Sequence, residues 1–91
     1  MTDAASQTSA AAIEATLIAL VTERGPTKSI CPSEVARALR PDWQSLLTEV
    51  RQVATRLAVA GRIDILRKGQ RVEPQGVKGV IRLRLAEDVP S

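Results

Sequence analysis

Nine basic side chains crowd into positions 51–84: Arg51, Arg56, Arg62, Arg67, Lys68, Arg71, Lys78, Arg82 and Arg84. Only Asp64 and Glu73 oppose these nine, leaving +7 on this stretch. Residues 1–40 hold four basic and four acidic side chains and cancel. Clustered arginine with a pI near 9.8 is the electrostatic footprint of a polyanion binder, since forked guanidinium donors match phosphate oxygens. Within the cluster, Arg67, Lys68, Arg71 and Lys78 are candidate phosphate contacts, with Arg82 and Arg84 behind them. The plainer reading is a charged strand edge kept soluble by its cations. A second group, Gln44, Ser45, Thr48, Arg51, Gln52 and Thr55, recurs at helical spacing. Gln and Arg can bond base edges in pairs, and Ser and Thr reach bases or phosphates. Any amphipathic helix shows a polar face, however, and Glu49 within this one repels phosphate.

Catalytic groups are scarce. The chain has no His, which removes Ser-His-Asp and Cys-His catalysis and His metal sites. Cys31 is the single cysteine, so neither a disulfide within the chain nor a Cys₄ zinc site can form. A thiol at a helix N-terminus can be activated by the dipole, but no general base stands beside it in sequence. A small apolar filler at a tight corner is the better account. No catalytic residue, metal, cofactor or small-molecule substrate is expected, and the chain is not expected to be an enzyme. Trp43 is the only aromatic residue, which argues against clefts that stack bases on several rings. No apolar run approaches the ~18 residues of a membrane span, and no signal peptide is visible, so a cytoplasmic setting is expected.

The elements that must carry these residues are legible in the spacing. At 91 residues the length fits one domain. We expect it over residues 9–86, between a disordered tail at 1–8 and a second tail at 87–91. Thr8 or Ser9 can cap a helix. Ile13, Leu17, Leu20 and Val21 give it one apolar stripe, and Gly25-Pro26 ends it near Arg24. After an extended link at 27–30, Cys31-Pro32-Ser33-Glu34 opens a second helix with Pro at the first helical position. Val35, Ala36, Ala38 and Leu39 form its buried side, and Arg40-Pro41 ends it. Asp42 should cap a third helix, whose stripe is Trp43, Leu46, Leu47, Val50, Val53, Ala54, Leu57 and Ala58; Gly61 closes it. Trp43 should anchor the packing of the first helix on the third.

The period then becomes two. Residues 62–67 form a strand, Lys68-Gly69 a two-residue turn, and residues 70–73 a return strand. That register sets Asp64 against Glu73, an unfavourable pair. Residues 74–79 read as a loop. Residues 80–85 alternate with Ile81, Leu83 and Leu85 inward and Arg82 and Arg84 outward.

The expected fold is therefore α+β: a winged helix-turn-helix, with three helices followed by a β-hairpin wing. In such folds the third helix can enter the major groove while the wing lies on the phosphate backbone. Several strings strengthen this reading: Ser29-Ile-Cys-Pro-Ser-Glu-Val-Ala-Arg-Ala-Leu39, Trp43, Val50-Arg-Gln-Val-Ala54, Leu57-Ala58, Gly61-Arg-Ile63 and Gly79-Val-Ile-Arg-Leu-Arg-Leu85. Over about residues 13–85 the chain closely resembles a family of short bacterial proteins known as a domain of unknown function, number thirty-two fifty-three. The resemblance implies a winged-helix domain and transfers no activity. The reading drawn from the residues is double-stranded DNA binding through helix 3 and a basic wing. The second reading is a protein-interaction module, an adaptor or a homodimer, with no nucleic-acid role.

Overall fold

In the computed structural model, residues 9–74 and 79–86 are described. The expected tails at 1–8 and 87–91, and the candidate Lys78, lie outside them. Three helices precede most of a four-stranded antiparallel sheet, giving an α+β fold that agrees with helices followed by a hairpin wing.

Helix α1 spans Ala10–Arg24. Ser9 caps it by accepting a hydrogen bond from the Ala12 N–H at 3.1 Å. Ile13, Leu17 and Val21, one residue per helical turn, are its buried stripe. Gly25, at φ 83°, closes it. Strand β1 is Ser29–Ile30 and helix α2 is Pro32–Leu39. Pro32 occupies the first turn, and the Glu34 carboxylate accepts the Cys31 N–H at 3.0 Å. The buried side of α2 is narrower than its pattern suggests. Val35 and Ala36 are buried and Leu39 half-buried, but Ala38 faces solvent.

The third helix departs from the expected continuous one. A single 3₁₀ turn covers Trp43–Leu46, and α3 proper runs Leu47–Val59. Asp42 does not cap a backbone N–H. Its carboxylate is held by Arg40 Nε and Nη2 at 2.8 and 3.0 Å, and the Ser45 hydroxyl lies 3.2 Å away. With the capping group diverted, the chain tightens into i→i+3 bonding before the α-helix starts. Trp43 is half-buried and packs against the core. Its turn packs mainly on α2 and α3, and Arg37 stacks over its ring at 4.6 Å. The far end of α3 is a Schellman closure. Gly61 N–H donates to Ala58 O and Arg62 N–H to Leu57 O, with Gly61 at φ 82°.

Strand β2 is Ile63–Arg67, β3 is Gln70–Arg71 and β4 is Arg82–Leu85, in the order β1-β4-β2-β3. Lys68 and Gly69 both take positive φ, 53° and 83°, the mirror-image turn whose twist suits a hairpin. The return strand β3 stops at Arg71, short of the expected 73. Ladder pairing ends at Leu66↔Arg71, with Val72 N–H still reaching Ile65 O at 2.9 Å. Continued pairing would have set Glu73 against Asp64. The ladder stops before that like-charge pair, and on the other edge of β2 Asp64 lies opposite Arg84. Strand β4 starts two residues later than the pattern suggested, since Val80 lies outside it and is 84% exposed.

Strand alternation sorts the side chains. Ile63, Ile65 and Leu83 join Ile13, Leu17, Val21, Val50, Ala54 and Leu57 in one core between helices and sheet. Asp64, Leu66, Arg82 and Arg84 occupy the other face. Among the described residues no helix is long and apolar enough to cross a membrane.

Candidate nucleic-acid interface

The outward face of the 3₁₀ turn and α3 carries the six polar candidates, and the structure divides them by task. Gln44, Thr48 and Gln52 are exposed. Ser45 is exposed but its hydroxyl is occupied within its own turn, donating to Asp42 O at 2.9 Å. Thr55 is half-buried and donates back to Arg51 O at 2.9 Å, the i−4 bond that mid-helix threonines often make. Arg51 is half-buried and leaves the helix altogether: its Nη1 donates to Gly79 O at 3.0 Å. This bond ties α3 to the base of the wing. Glu49 and Arg56 are exposed on the same helix.

The wing candidates divide as well. Lys68, at the hairpin turn, is exposed and Arg67 is half-buried. The Arg67 guanidinium rests on Gly79 so closely that a Cβ there would stand 2.6 Å from Nη1. Gly79 therefore serves twice, through its φ of 85° and through the space its missing side chain leaves. Arg71 is exposed, with Nη1 3.7 Å from Asp64 Oδ1. Ser29, Leu66, Arg67, Lys68, Gly69, Val80 and Arg82 line a groove of about 410 Å³ beside the wing.

The arginines on β4 are structural partners rather than a free reserve of charge. Arg82 Nε donates to Ser29 Oγ at 2.6 Å and its Nη2 to Ser29 O at 2.9 Å, tying β4 to β1. Arg84 Nη2 donates to Asp64 Oδ2 at 3.0 Å, tying β4 to β2. Asp64, only 9% exposed, is the one buried charged residue among those described. The sequence did offer a signal for this network: Asp64 and Arg84 both fall at non-core positions of neighbouring strands, and Asp64 is the only acid in either strand. The role of Ser29 carries no comparable signal.

The α2 N-terminus has its own electrostatics. The Cys31 N–H holds the Glu34 carboxyl below its ordinary range against the opposing effect of burial, and the Arg24 guanidinium at 2.8 Å adds to it. Arg40 lowers Asp42 in the same sense. Cys31 is half-buried, and its Sγ accepts from the Ser33 hydroxyl at 3.1 Å. Among the described residues no three His, Cys, Asp or Glu side chains gather as metal ligands would.

The class defined by these observations is a small α+β domain with three helices and a hairpin wing. The chain belongs to the family described as "Protein of unknown function (DUF3253)", which matches residues 10–86. Comparison with curated proteins gives no match.

Proposed function

We propose that the domain binds double-stranded DNA as a winged helix, with α3 in the major groove and the wing on the phosphate backbone. It does so without catalysing a reaction, in a cytoplasmic setting. The observation that carries this reading is the Arg51–Gly79 bond, which ties the helix bearing Thr48 and Gln52 to the glycine on which Arg67 of the wing also packs. Gln can bond adenine in pairs at the base edge, and the wing cations suit phosphate. Arginines tied to Asp64 and Ser29 contribute to the positive field rather than to direct contacts.

The experiment is an anisotropy titration with labelled mixed-sequence duplex at low and near-physiological salt. Binding should fade with salt at a log–log slope of about −0.9 per phosphate contacted. Replacing Arg67 and Lys68 together by Glu should weaken it strongly. Intact affinity in that double variant, or no binding of the natural chain at low salt, sinks the proposal.

One observation favours a second reading, a protein partner or a homodimer. Val80 is 84% exposed beside the basic groove, and an apolar side chain in such a place can anchor a partner. Salt-insensitive self-association in sedimentation, weakened by Val80→Asp, would favour that reading over DNA.

A further inference from the structure

Among the described residues, few backbone bonds join the wing to the sheet. Strand β3 contributes two residue pairs, and Val72 adds one more backbone bond. On the return leg, Val80 is exposed and the chain re-enters the core only at Ile81. Gly79, just before this re-entry, is where two separate elements converge. Arg51 reaches it from α3 through its carbonyl, and Arg67 packs on its α-carbon from β2. A guanidinium bonded to a carbonyl 28 positions away has its plane and direction set by that bond. Arg51 is therefore poorly placed to turn toward a base edge while the bond lasts. The Thr55 hydroxyl, on the Arg51 carbonyl, is likewise engaged.

We propose that Arg51 is a positioning residue that latches the wing to α3 through Gly79 and acts on DNA through the wing rather than by touching it. This deepens the DNA-binding reading and rests on it for its functional consequence, but the latch can be tested without DNA. Arg51 fixes the separation between the reading face of α3 and the cations at the wing tip. DNA presents groove and phosphates at a set spacing, so a held wing meets both together, whereas a loose one must be ordered at the moment of binding.

The test compares Arg51→Met, which removes the donor, with Arg51→Lys, which keeps a donor of nearly the same reach. Backbone order parameters of Lys68, Gly69, Gly79 and Val80 are measured by ¹⁵N relaxation on the full chain without DNA. The expected result is rigid values of about 0.85 in the natural chain, below about 0.6 in the Met variant, with recovery in the Lys variant. Equal order in all three overturns the latch. The DNA arm uses the mixed-sequence duplex. If Arg51 acts through the wing, Arg51→Met lowers the salt slope by about 1.8, the share of both Arg67 and Lys68. It then has no further effect in a background where Arg67 and Lys68 are already Gln, the non-additivity expected of residues that act as a unit. A loss of only about 0.9 that persists in that background means that Arg51 touches a phosphate itself, and overturns the proposal. If the natural chain binds no duplex, the DNA reading fails while the order parameters still decide the latch.

Discussion

Removing the Asp64 carboxylate should cost this domain a large part of its stability, and the structure gives the size. Asp64 is nine-tenths buried and accepts from Arg84 at 3.0 Å, with Arg71 at 3.7 Å. The Arg71 side chain is 73% exposed, so its pairing is worth at most about 1 kcal/mol. Arg84 is different: its side chain is 27% exposed, and its Nε is buried with no acceptor among the described residues. Asp64→Ala would strand this guanidinium with Nη2 unsatisfied as well. Breaking a fully buried pair costs about 3–5 kcal/mol; discounting for the exposed part of Arg84 leaves about 2–3 kcal/mol. A domain of this length has roughly 5–14 kcal/mol in total, and the melting temperature should fall by roughly 10–20 °C. Urea melts monitored by circular dichroism provide the assay, with an unchanged m-value showing that the denatured state is not responsible. The control is the double change Asp64→Leu with Arg84→Met, which removes both charges and should recover most of the loss, because no charge is then left unpaired. A cost under about 0.5 kcal/mol for Asp64→Ala would refute the argument. So would a double variant as unstable as the single one, since the loss would then be one of packing.

Gly79→Ala and Gly69→Ala both place a side chain at positive φ and should each cost about 1–2 kcal/mol in thermal melts, but only the Gly79 change should shift the Arg67 Nε–H resonance, because only there does a Cβ meet the guanidinium. Glu34 has a lowered pKa, so the stability it contributes is fully present above its ordinary value of 4.5 and is lost as pH falls through the lower folded value. Melting temperatures between pH 5 and pH 3 should therefore fall less steeply in Glu34→Gln than in the natural chain, and parallel curves would count against it. Leu83→Ala, at a fully buried position shared by helices and sheet, should cost about 2–5 kcal/mol by denaturant titration.

Much of the fold could be read from local chemistry. Ser9, Gly25 and Gly61 announce helix ends through bonds to residues three or four positions away, those bonds form as the spacing implies, and Pro32 marks a helix start by its place in the first turn. Leu83 reaches the core by strand alternation, and Ile81, just ahead of β4, keeps the same two-residue spacing. The departures come where a distant partner or a local competitor decides. Asp42 is a good cap in isolation, but Arg40 and Ser45 claim its carboxylate, and the third helix begins with a 3₁₀ turn. Strand β3 ends before its ladder would set Glu73 against Asp64, while on the other edge of β2 Asp64 lies opposite Arg84 of a strand some twenty residues on. The candidate site follows the same division. Its charge and helical spacing are written in the sequence, whereas the partners of Arg51, Arg82 and Arg84 depend on a sheet order that no short window contains.

Those partners also bound how strongly salt can act on DNA binding. Of the nine basic residues between 51 and 84, Arg62 is paired with Glu14, Arg71 and Arg84 share Asp64, Arg82 is spent on Ser29, and Arg51 reaches Gly79. Each phosphate contacted adds about −0.9 to the log–log salt slope, so four contacts that open no ion pair give about −3.6. Recruiting Arg62, Arg71 and Arg84 as well would steepen it to about −6, but each would first have to leave a carboxylate. For Arg84 this exposes the buried Asp64 to the cost argued above. A measured slope near −4 therefore agrees with ion pairs that stay closed on DNA. A slope of −6 or beyond would mean that binding opens them, and Asp64→Asn, which frees two arginines in advance, should then tighten binding instead of leaving it unchanged.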